Sequence, residues 1–231
     1  MNRPSPGGTD AEAIYDDEYV ASYHKEPGER LERLVERMDL APDMTVADFG
    51  CGSGLLLDLL RSRVGVYYGV DVTEKMLDEA RRRQAEHQIG NAEFLCQPIA
   101  DFCSAHRGAI DRAFALDFTE HVLDDELLEI LTAIRTSLSA RGIFYVHTPN
   151  ADFFLEILKS RGVLAQIPSH IAVRNAEANL ALLERAGFRR NRVHALPHYL
   201  GSLGWMHRFT GIPGIGRYLE ARLFIECRAG L

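Results

Sequence analysis

The sequence predicts an α/β domain built on a doubly wound parallel sheet, and two observations carry this prediction. Short apolar runs alternate with helical patterns along most of the chain, which is typical of parallel strands joined by right-handed crossovers. The first run leads into residues 46–54, VADFGCGSG, where three alternating glycines precede an apolar helix. With 231 residues and 46% hydrophobic content, the chain is long enough to bury one such domain.

Each strand is predicted from a short apolar run, and each helix from apolar residues that recur every three or four positions. The predicted strands are 45–49, 66–70, 93–96, 112–117, 142–147, 192–195 and 223–226. The predicted helices include 54–60, 74–87, 124–138 and 176–186. Thr73 is the expected N-cap of the second of these helices, and Gly142 and Gly187 are expected C-caps.

The N-terminal segment is predicted to be a short tail followed by helices. Residues 1–10, MNRPSPGGTD, contain little to bury and are expected to be disordered, which leaves residues 11–231 as a single domain. Tyrosines recur at every fourth position on one helical face, and a second apolar stripe follows that is expected to face the core. The tyrosines are Tyr15, Tyr19 and Tyr23, and the stripe is Leu31, Leu34, Val35 and Met38.

The glycine-rich stretch has the geometry that cradles a nucleoside cofactor at a helix N-terminus. Gly50, Gly52 and Gly54 follow a predicted strand, and Asp71 ends the next apolar run 17 residues after Gly54. Nucleotide-binding folds place an acid near this position to accept hydrogen bonds from ribose hydroxyls. The G-x-G-x-G spacing, with Asp48 two residues before the first glycine, argues against a nicotinamide dinucleotide.

At these residues the chain resembles the class I S-adenosylmethionine-dependent methyltransferases. Their first motif is similar to VADFGCGSG and their second to YYGVDVTEKMLDEA, and the resemblance extends over about residues 15–227. It implies a seven-stranded Rossmann-like sheet of order 3-2-1-4-5-7-6 with an antiparallel last strand. It also implies that residues 11–40 form a helical lid over the cofactor, with Tyr15 and Tyr23 against it.

The resemblance assigns most of the cofactor site residue by residue. The loop of Gly50, Cys51 and Gly52 would lie against the methionine portion, and Asp48 would orient this loop by accepting its N–H groups or a water molecule. Asp71 would take the ribose. Val72 and Met76 would flank the adenine. Many relatives have an acid that bonds the adenine amino group where this chain has Pro98, so the adenine would rely on the backbone near Ile99 or on Gln97.

A second group of polar residues follows the fourth predicted strand. Asp117, Glu120 and His121 form D-x-x-E-H, and a helical turn would place them on one side of the chain. Two carboxylates and an imidazole suit a divalent cation, and His170 could complete the set. The alternative is that Glu120 and His121 belong to a polar network while Asp117 contacts the cofactor's ammonium group.

A narrower resemblance bears on this second group. The stretches EHVLDDELLEIL, YVHTPN and IPSH are similar to the ubiquinone-pathway O-methyltransferases, and the acid-x-x-Glu-His set with a distal His is like that of small-RNA 2′-O-methyltransferases. It implies that Asp117, Glu120, His121 and His170 hold a divalent metal, Mg²⁺ or a transition metal, beside the methyl acceptor. Without metal, His121 or His170 would act as general base, with Glu120 orienting it.

The sequence therefore predicts a methyltransferase that uses S-adenosylmethionine on a small molecule, and O-methylation of a hydroxyl is the first hypothesis. Metal-independent N- or C-methylation and other chemistry with the same cofactor remain open alternatives. The identity of the acceptor depends on the lid and on residues 152–168 and 196–219, and these segments do not define it from the sequence. Five apolar residues indicate either an aromatic or lipid-like acceptor or a homodimer contact: Phe153, Phe154, Leu155, Ile157 and Leu158.

Composition limits the partners and the compartment. The net charge of −7 and the lack of a sustained basic block argue against a nucleic-acid partner. Four cysteines without a C-x-x-C pair favour a reducing cytoplasm. The sequence contains neither a signal-peptide pattern nor an apolar run long enough to span a membrane.

Overall fold

The computed structural model describes residues 28–199 and 201–229, and seven strands of this part form one sheet in the order β3-β2-β1-β4-β5-β7-β6. The strands are β1 (Thr45–Phe49), β2 (Val66–Asp71), β3 (Ala92–Cys96), β4 (Ile110–Leu116), β5 (Leu138–Pro149), β6 (Phe188–Leu196) and β7 (Arg222–Ala229). Strands β1 to β5 pair in parallel, and β7 runs antiparallel to both β5 and β6. The predicted fold class and strand order are confirmed.

Eight α-helices lie in the described part of the chain, one before β1 and the others between strands. They are α1 (Glu29–Val35), α2 (Leu55–Leu60), α3 (Glu74–Glu86), α4 (Ile99–Ala105), α5 (Asp124–Ser137), α6 (Phe154–Ser160), α7 (Ala176–Arg185) and α8 (Gly201–Gly204). Short 3₁₀ helices cover Thr119–His121, Trp205–Phe209 and Gly216–Leu219. The sequence reading did not predict α4 or α6, which are each 7 residues long and carry too few turns for a clear periodicity.

The expected helix caps have mixed outcomes. Gly187 follows α7 with a φ of +96°, as a C-terminal glycine does, and Thr73 stands at the N-cap position of α3 without a side-chain cap bond. The prediction that Gly142 is a C-cap is wrong, because Gly142 lies inside β5. A Cβ there would lie 2.8 Å from the Cβ of Leu138 and 3.0 Å from the carbonyl oxygen of Ile110, so close strand approach at the irregular β4–β5 register requires this glycine.

Two apolar clusters cover the two faces of the sheet. Helices α4, α5 and α7 contribute to one cluster, and α1, α2 and α3 contribute to the other. The predicted core-facing stripe is confirmed for Leu34, Val35 and Met38, which are all buried, while Leu31 is half-buried. Burying a side chain of this size contributes about 1.5–3 kcal/mol, so Leu34 and Val35 hold α1 against the sheet and Met38 holds the turn that follows it.

The expectations for the N-terminal tail and its tyrosines fall on residues that the structure does not describe, whereas those for the cysteines and for a membrane span can be compared with it. Residues 1–10 and the tyrosines at positions 15, 19 and 23 lie outside the described part. All four cysteines are free. Among the described residues, no helix is both long and apolar enough to cross a membrane.

Candidate cofactor and acceptor site

A cavity of about 530 Å³ opens at the carboxyl ends of β1, β2 and β4, within the size range of small-molecule sites. The cavity wall includes most of the residues that the sequence predicts for the cofactor. Those residues are Asp48, Gly50, Cys51, Gly52, Asp71, Val72, Met76, Ile99 and Asp117. The sheet topology brings them together, because parallel strands present their carboxyl ends at one edge.

The glycine loop turns tightly around the end of β2. Gly50, Gly52 and Gly54 have φ angles of +69°, +51° and +74°. Glycine adopts such angles readily because it has no Cβ, whereas other residues rarely do. The backbone N–H groups of Gly50 and Cys51 both donate to the carbonyl oxygen of Val70, at 2.8 and 3.3 Å. A Cβ on Gly50 would lie 2.5 Å from Cδ2 of Phe118, a residue of the cavity wall that the sequence reading missed.

Asp71 joins the loop to the strand that carries it. Its Oδ2 accepts a hydrogen bond from the backbone N–H of Gly52 at 3.0 Å, and its Oδ1 accepts from that of Thr73 at 2.9 Å. The carboxylate is half-buried in the cavity wall. Asp71 therefore has a structural role in the loop whether or not ribose is bound, and its ribose contact stays a prediction.

Asp48 has a different partner from the expected one. Two loop N–H groups are taken by Val70, and Oδ2 of Asp48 instead accepts a hydrogen bond from the hydroxyl of Tyr67 at 2.7 Å. Burial raises the pKa of Asp48 to about 7, although the Tyr67 hydrogen bond acts in the opposite direction. In the β1–β2 register Asp48 pairs with Gly69. Tyr67 is two residues before Gly69 on β2, so its side chain lies on the same face of the sheet as that of Gly69. The pairing of the two strands is therefore the signal that could have identified Tyr67 as the partner of Asp48.

The predicted adenine contacts differ in exposure. Val72 is 59% exposed at the mouth of the cavity, whereas Met76 and Ile99 are buried. Pro98 lies in the wall beside Ile99. The cavity side of these residues is apolar, as a flat aromatic base requires.

Asp117 lies at the end of β4 with a φ of +56°, a conformation uncommon for a residue with a side chain. Its carboxylate forms ion pairs with Arg30 of α1 and with Arg222 of β7. Nδ1 of His147 lies 3.0 Å from the same carboxylate. Burial alone would raise the pKa of Asp117, but the charges of Arg222 and His147 hold it well below its usual range.

This arrangement corrects the expectation of one helical turn from Asp117 to His121. The 3₁₀ helix begins only at Thr119, so the left-handed Asp117 is not part of the turn. The ligand atoms that lie within 4.8 Å of one another belong to Glu120, His121 and His170, and Asp117 is outside this group. The sequence reading also missed Arg30 and Arg222, which are 87 and 105 residues away from Asp117 in the chain.

Glu120 is completely buried, and only one of its carboxyl oxygens has a partner in the described structure. Oε2 accepts a hydrogen bond from the hydroxyl of Thr148 at 3.1 Å, while Oε1 has no hydrogen bond. Burial, reinforced by the charge of Asp117, raises the pKa of Glu120 to about 8. A buried carboxyl oxygen without a partner is costly, so this position requires an explanation.

The two histidines meet edge to face beside Glu120. Their ring centroids are 5.1 Å apart with an interplanar angle of 83°. Nδ1 of His121 lies 2.8 Å from the carbonyl oxygen of Ser169, so this nitrogen carries the proton and Nε2 is left as an acceptor. Nδ1 of His170 is buried without a hydrogen bond in the described structure, and burial together with the nearby His121 lowers the pKa of His170 to about 4.

Helix α6 carries the apolar residues expected to contact an acceptor or a second subunit. Phe153 is buried at its N-cap, with ring centroids 4.7 Å from Phe154 and 5.7 Å from His198. Leu155 and Ile157 are half-buried. Phe153 therefore packs inside the protein, and the homodimer contact stays a prediction.

Comparison with known proteins identifies the class of this site. Residues 19–192 match the family model described as a methyltransferase domain. This match covers more than half of the chain, so the protein belongs to the methyltransferase domain family. Solved S-adenosylmethionine-dependent methyltransferases share its fold.

Curated relatives are similar at low identity. The ubiquinone biosynthesis O-methyltransferase of Acinetobacter baylyi is 26% identical over 161 residues, which cover 63% of this chain and 67% of that protein. The protein of the same name from Acinetobacter baumannii strain AYE is 25% identical over 179 residues, which cover 71% of this chain and 75% of that protein.

Solved structures share the fold at still lower identity. A methyltransferase from Archaeoglobus fulgidus superposes with a TM-score of 0.64 at 18% identity, covering 86% of this chain and 91% of the other. Geranyl diphosphate C-methyltransferase from Streptomyces coelicolor superposes with a TM-score of 0.62 at 16% identity, covering 92% of this chain and 84% of the other. That structure contains Mg²⁺, geranyl diphosphate and S-adenosylhomocysteine.

Proposed function

We propose that this protein methylates a hydroxyl group of a small molecule, and that Glu120, His121 and His170 hold a divalent cation beside the acceptor. The unpartnered Oε1 of Glu120, buried beside two imidazole rings, is the observation that carries the proposal. Without a cation, the raised pKa keeps the Glu120 carboxyl protonated near neutral pH. A cation would replace that proton and pair with the ionised carboxylate, which burial otherwise destabilises.

The donor set fits a divalent cation. Oε1 of Glu120 and Nδ1 of His170 are buried without hydrogen bonds in the described structure, and the bond of His121 to Ser169 leaves its Nε2 free. Imidazole nitrogens favour a transition metal, whereas Mg²⁺ prefers oxygen ligands. A cation held there would lower the pKa of an acceptor hydroxyl and orient its oxygen. Three protein ligands would leave coordination positions for that oxygen.

The cofactor would lie in the cavity at the strand ends, and when bound it supplies a sulfonium methyl group. The backbone of Gly50, Cys51 and Gly52 would contact its methionine portion, while the free lone pairs of Asp71 would accept hydrogen bonds from the ribose. Val72, Met76 and Ile99 would contact the adenine. Asp48 would support the loop from beneath, through Tyr67.

Asp117 is proposed to act on the cofactor and not on the cation. Its carboxylate and the guanidinium of Arg30 both face the cavity, with opposite charges. The methionine end of the cofactor also carries one group of each charge. Asp117 would therefore accept from the ammonium group and Arg30 would donate to the carboxylate. Tyr15 and Tyr23 remain predicted lid contacts outside the described residues.

Two relatives bear on the type of acceptor. The curated ubiquinone biosynthesis enzymes are named as O-methyltransferases, which supports transfer to oxygen. The solved geranyl diphosphate enzyme is named as a C-methyltransferase and was crystallised with Mg²⁺, which keeps transfer to carbon as the second candidate. Metal-free transfer would use His121 or His170 as the general base. The lowered pKa of His170 keeps that imidazole neutral but makes it a weak base, so His121 is the better candidate of the two.

Two measurements test the proposal together. Calorimetry of Mn²⁺, Zn²⁺ and Mg²⁺ binding to the protein saturated with S-adenosylhomocysteine tests the cation site. Release of S-adenosylhomocysteine from S-adenosylmethionine, with panels of phenols, catechols and amines, tests the acceptor. We expect methyl transfer to a hydroxyl compound. The rate of this transfer should fall in EDTA and recover when the preferred cation is added.

The variant His121→Asn should lose cation binding and methyl transfer while its affinity for S-adenosylhomocysteine changes little. His106→Asn is a matched control. Nδ1 of His106 also lies 2.9 Å from a backbone carbonyl oxygen, that of Phe102, but His106 is the C-cap residue of α4 and lies outside the cavity wall. Full transfer in excess EDTA would contradict the cation, and transfer only to amines would contradict O-methylation.

A further inference from the structure

The three proposed cation ligands come from two separate chain segments. Glu120 and His121 belong to the 3₁₀ turn after β4, and His170 belongs to the loop between α6 and α7. Two hydrogen bonds link the segments directly. The backbone N–H of Ala172 donates to the carbonyl oxygen of Glu120 at 3.0 Å, and Nδ1 of His121 donates to that of Ser169 at 2.8 Å.

One arginine joins the same two segments much more extensively. Arg174 is 7% exposed, and its guanidinium donates to backbone carbonyls at both ends of the turn and in the loop. The acceptors are the carbonyl oxygens of Thr119 at 2.7 Å, Val122 at 2.6 Å and Ala172 at 3.0 Å, with Oδ1 of Asp124 at 2.7 Å from Nε. Thr119 and Val122 directly precede and follow Glu120 and His121 in the chain, so Arg174 holds the backbone on both sides of these two ligand residues.

We propose that Arg174 is a positioning residue for the group Glu120, His121 and His170. Its planar guanidinium fixes the turn against the loop, and so keeps the carbonyl of Ser169 in reach of His121. That hydrogen bond in turn sets which nitrogen of His121 is free. This inference rests on the proposed function of the three residues as a cation site.

The chemistry requires arginine at this position. A lysine ammonium is a compact donor on a flexible stem and cannot span four acceptors that lie in different directions. Removing part of the network would leave buried carbonyl groups without donors and loosen the turn. Residues that orient metal ligands typically change metal affinity by about 10- to 100-fold when they are replaced.

The test compares Arg174→Lys with Arg135→Lys. Arg135 donates from Nε to the carbonyl oxygen of Gly187 at 3.0 Å, between α5 and β6, and serves as the matched control. We expect Arg174→Lys to bind Mn²⁺ about 10- to 100-fold more weakly by calorimetry, with S-adenosylhomocysteine affinity within about twofold of the parent protein. Arg135→Lys should change neither affinity. Equal Mn²⁺ affinity in Arg174→Lys and the parent, or a parallel loss of S-adenosylhomocysteine binding, would overturn the inference.

A second readout separates this inference from the proposed function. In ¹⁵N-histidine NMR without metal, the parent protein should show a slowly exchanging Nδ1–H of His121, and Arg174→Lys should lose this signal. If the parent binds no Mn²⁺, the cation proposal fails, yet persistence of the signal in Arg174→Lys would still refute the role of Arg174.

A milder variant covers the case in which Arg174→Lys does not fold. Asp124 is 68% exposed in its ion pair with Arg174, so Asp124→Asn removes one charged acceptor and leaves the three carbonyl contacts in place. We expect a loss of Mn²⁺ affinity of about threefold and faster exchange of the His121 signal. An unchanged signal together with unchanged Mn²⁺ affinity would count against the inference.

Discussion

Replacing Asp71 by alanine is expected to weaken cofactor binding by about 100-fold or more. The carboxylate accepts hydrogen bonds from the N–H groups of Gly52 at 3.0 Å and Thr73 at 2.9 Å, and the proposed ribose contacts would add to these. Each hydrogen bond to a charged group contributes about 1.5–3 kcal/mol. Losing the ribose contacts would alone cost about 3 kcal/mol of binding free energy, and the loosened glycine loop would add to that loss.

Calorimetric titration with S-adenosylhomocysteine measures this effect, and Asp71→Asn separates its two sources. The amide keeps one carbonyl oxygen for the loop but lacks the negative charge, so its affinity should fall between those of the parent and Asp71→Ala. Asp78→Ala, on the exposed side of α3, controls for the loss of a carboxylate. Unchanged affinity in Asp71→Ala would refute both the ribose contact and the importance of the loop anchor.

Two further predictions concern the same end of β1. The pKa of Asp48 is raised from 3.8 to about 7, so the folded state holds a proton that the unfolded state has released, and stability should fall as pH rises through this window. At about 1.4 kcal/mol per pH unit, the free energy of unfolding should fall by about 4 kcal/mol across this window. Urea unfolding of the cofactor-free protein at several pH values measures this change, and Asp48→Asn should remove most of the pH dependence. Gly50→Ala should lower the melting temperature and the affinity for S-adenosylhomocysteine, because its Cβ would lie 2.5 Å from Phe118 at a φ of +69°. Unchanged values would show that the loop adapts.

The strands and the cofactor loop could be predicted because local sequence determines them. The predicted first strand, 45–49, matches β1 in full, and the loop glycines have the positive φ angles that their spacing indicates. The position of β7 between β5 and β6, antiparallel to both, came from family resemblance alone. Spacing along the chain contains no information about strand direction when the connection is long.

The environment of Asp117 could not be predicted, because its partners are distant in the chain. Arg30 and Arg222 meet there only after α1 and β7 have docked on the sheet. The left-handed backbone at Asp117 also breaks the helical spacing from which a four-residue cation site was predicted. Glu120, His121 and His170 do come together, through loop contacts that no periodic pattern encodes.

The most direct test of the proposed function is anomalous diffraction from crystals grown with S-adenosylhomocysteine and Mn²⁺. Data collected on both sides of the manganese edge locate the ion without reference to the assumed ligands. The account predicts one strong peak in coordination distance of Oε1 of Glu120, Nε2 of His121 and a ring nitrogen of His170. A map with the cofactor bound and these side chains ordered, but no peak between them, would contradict it.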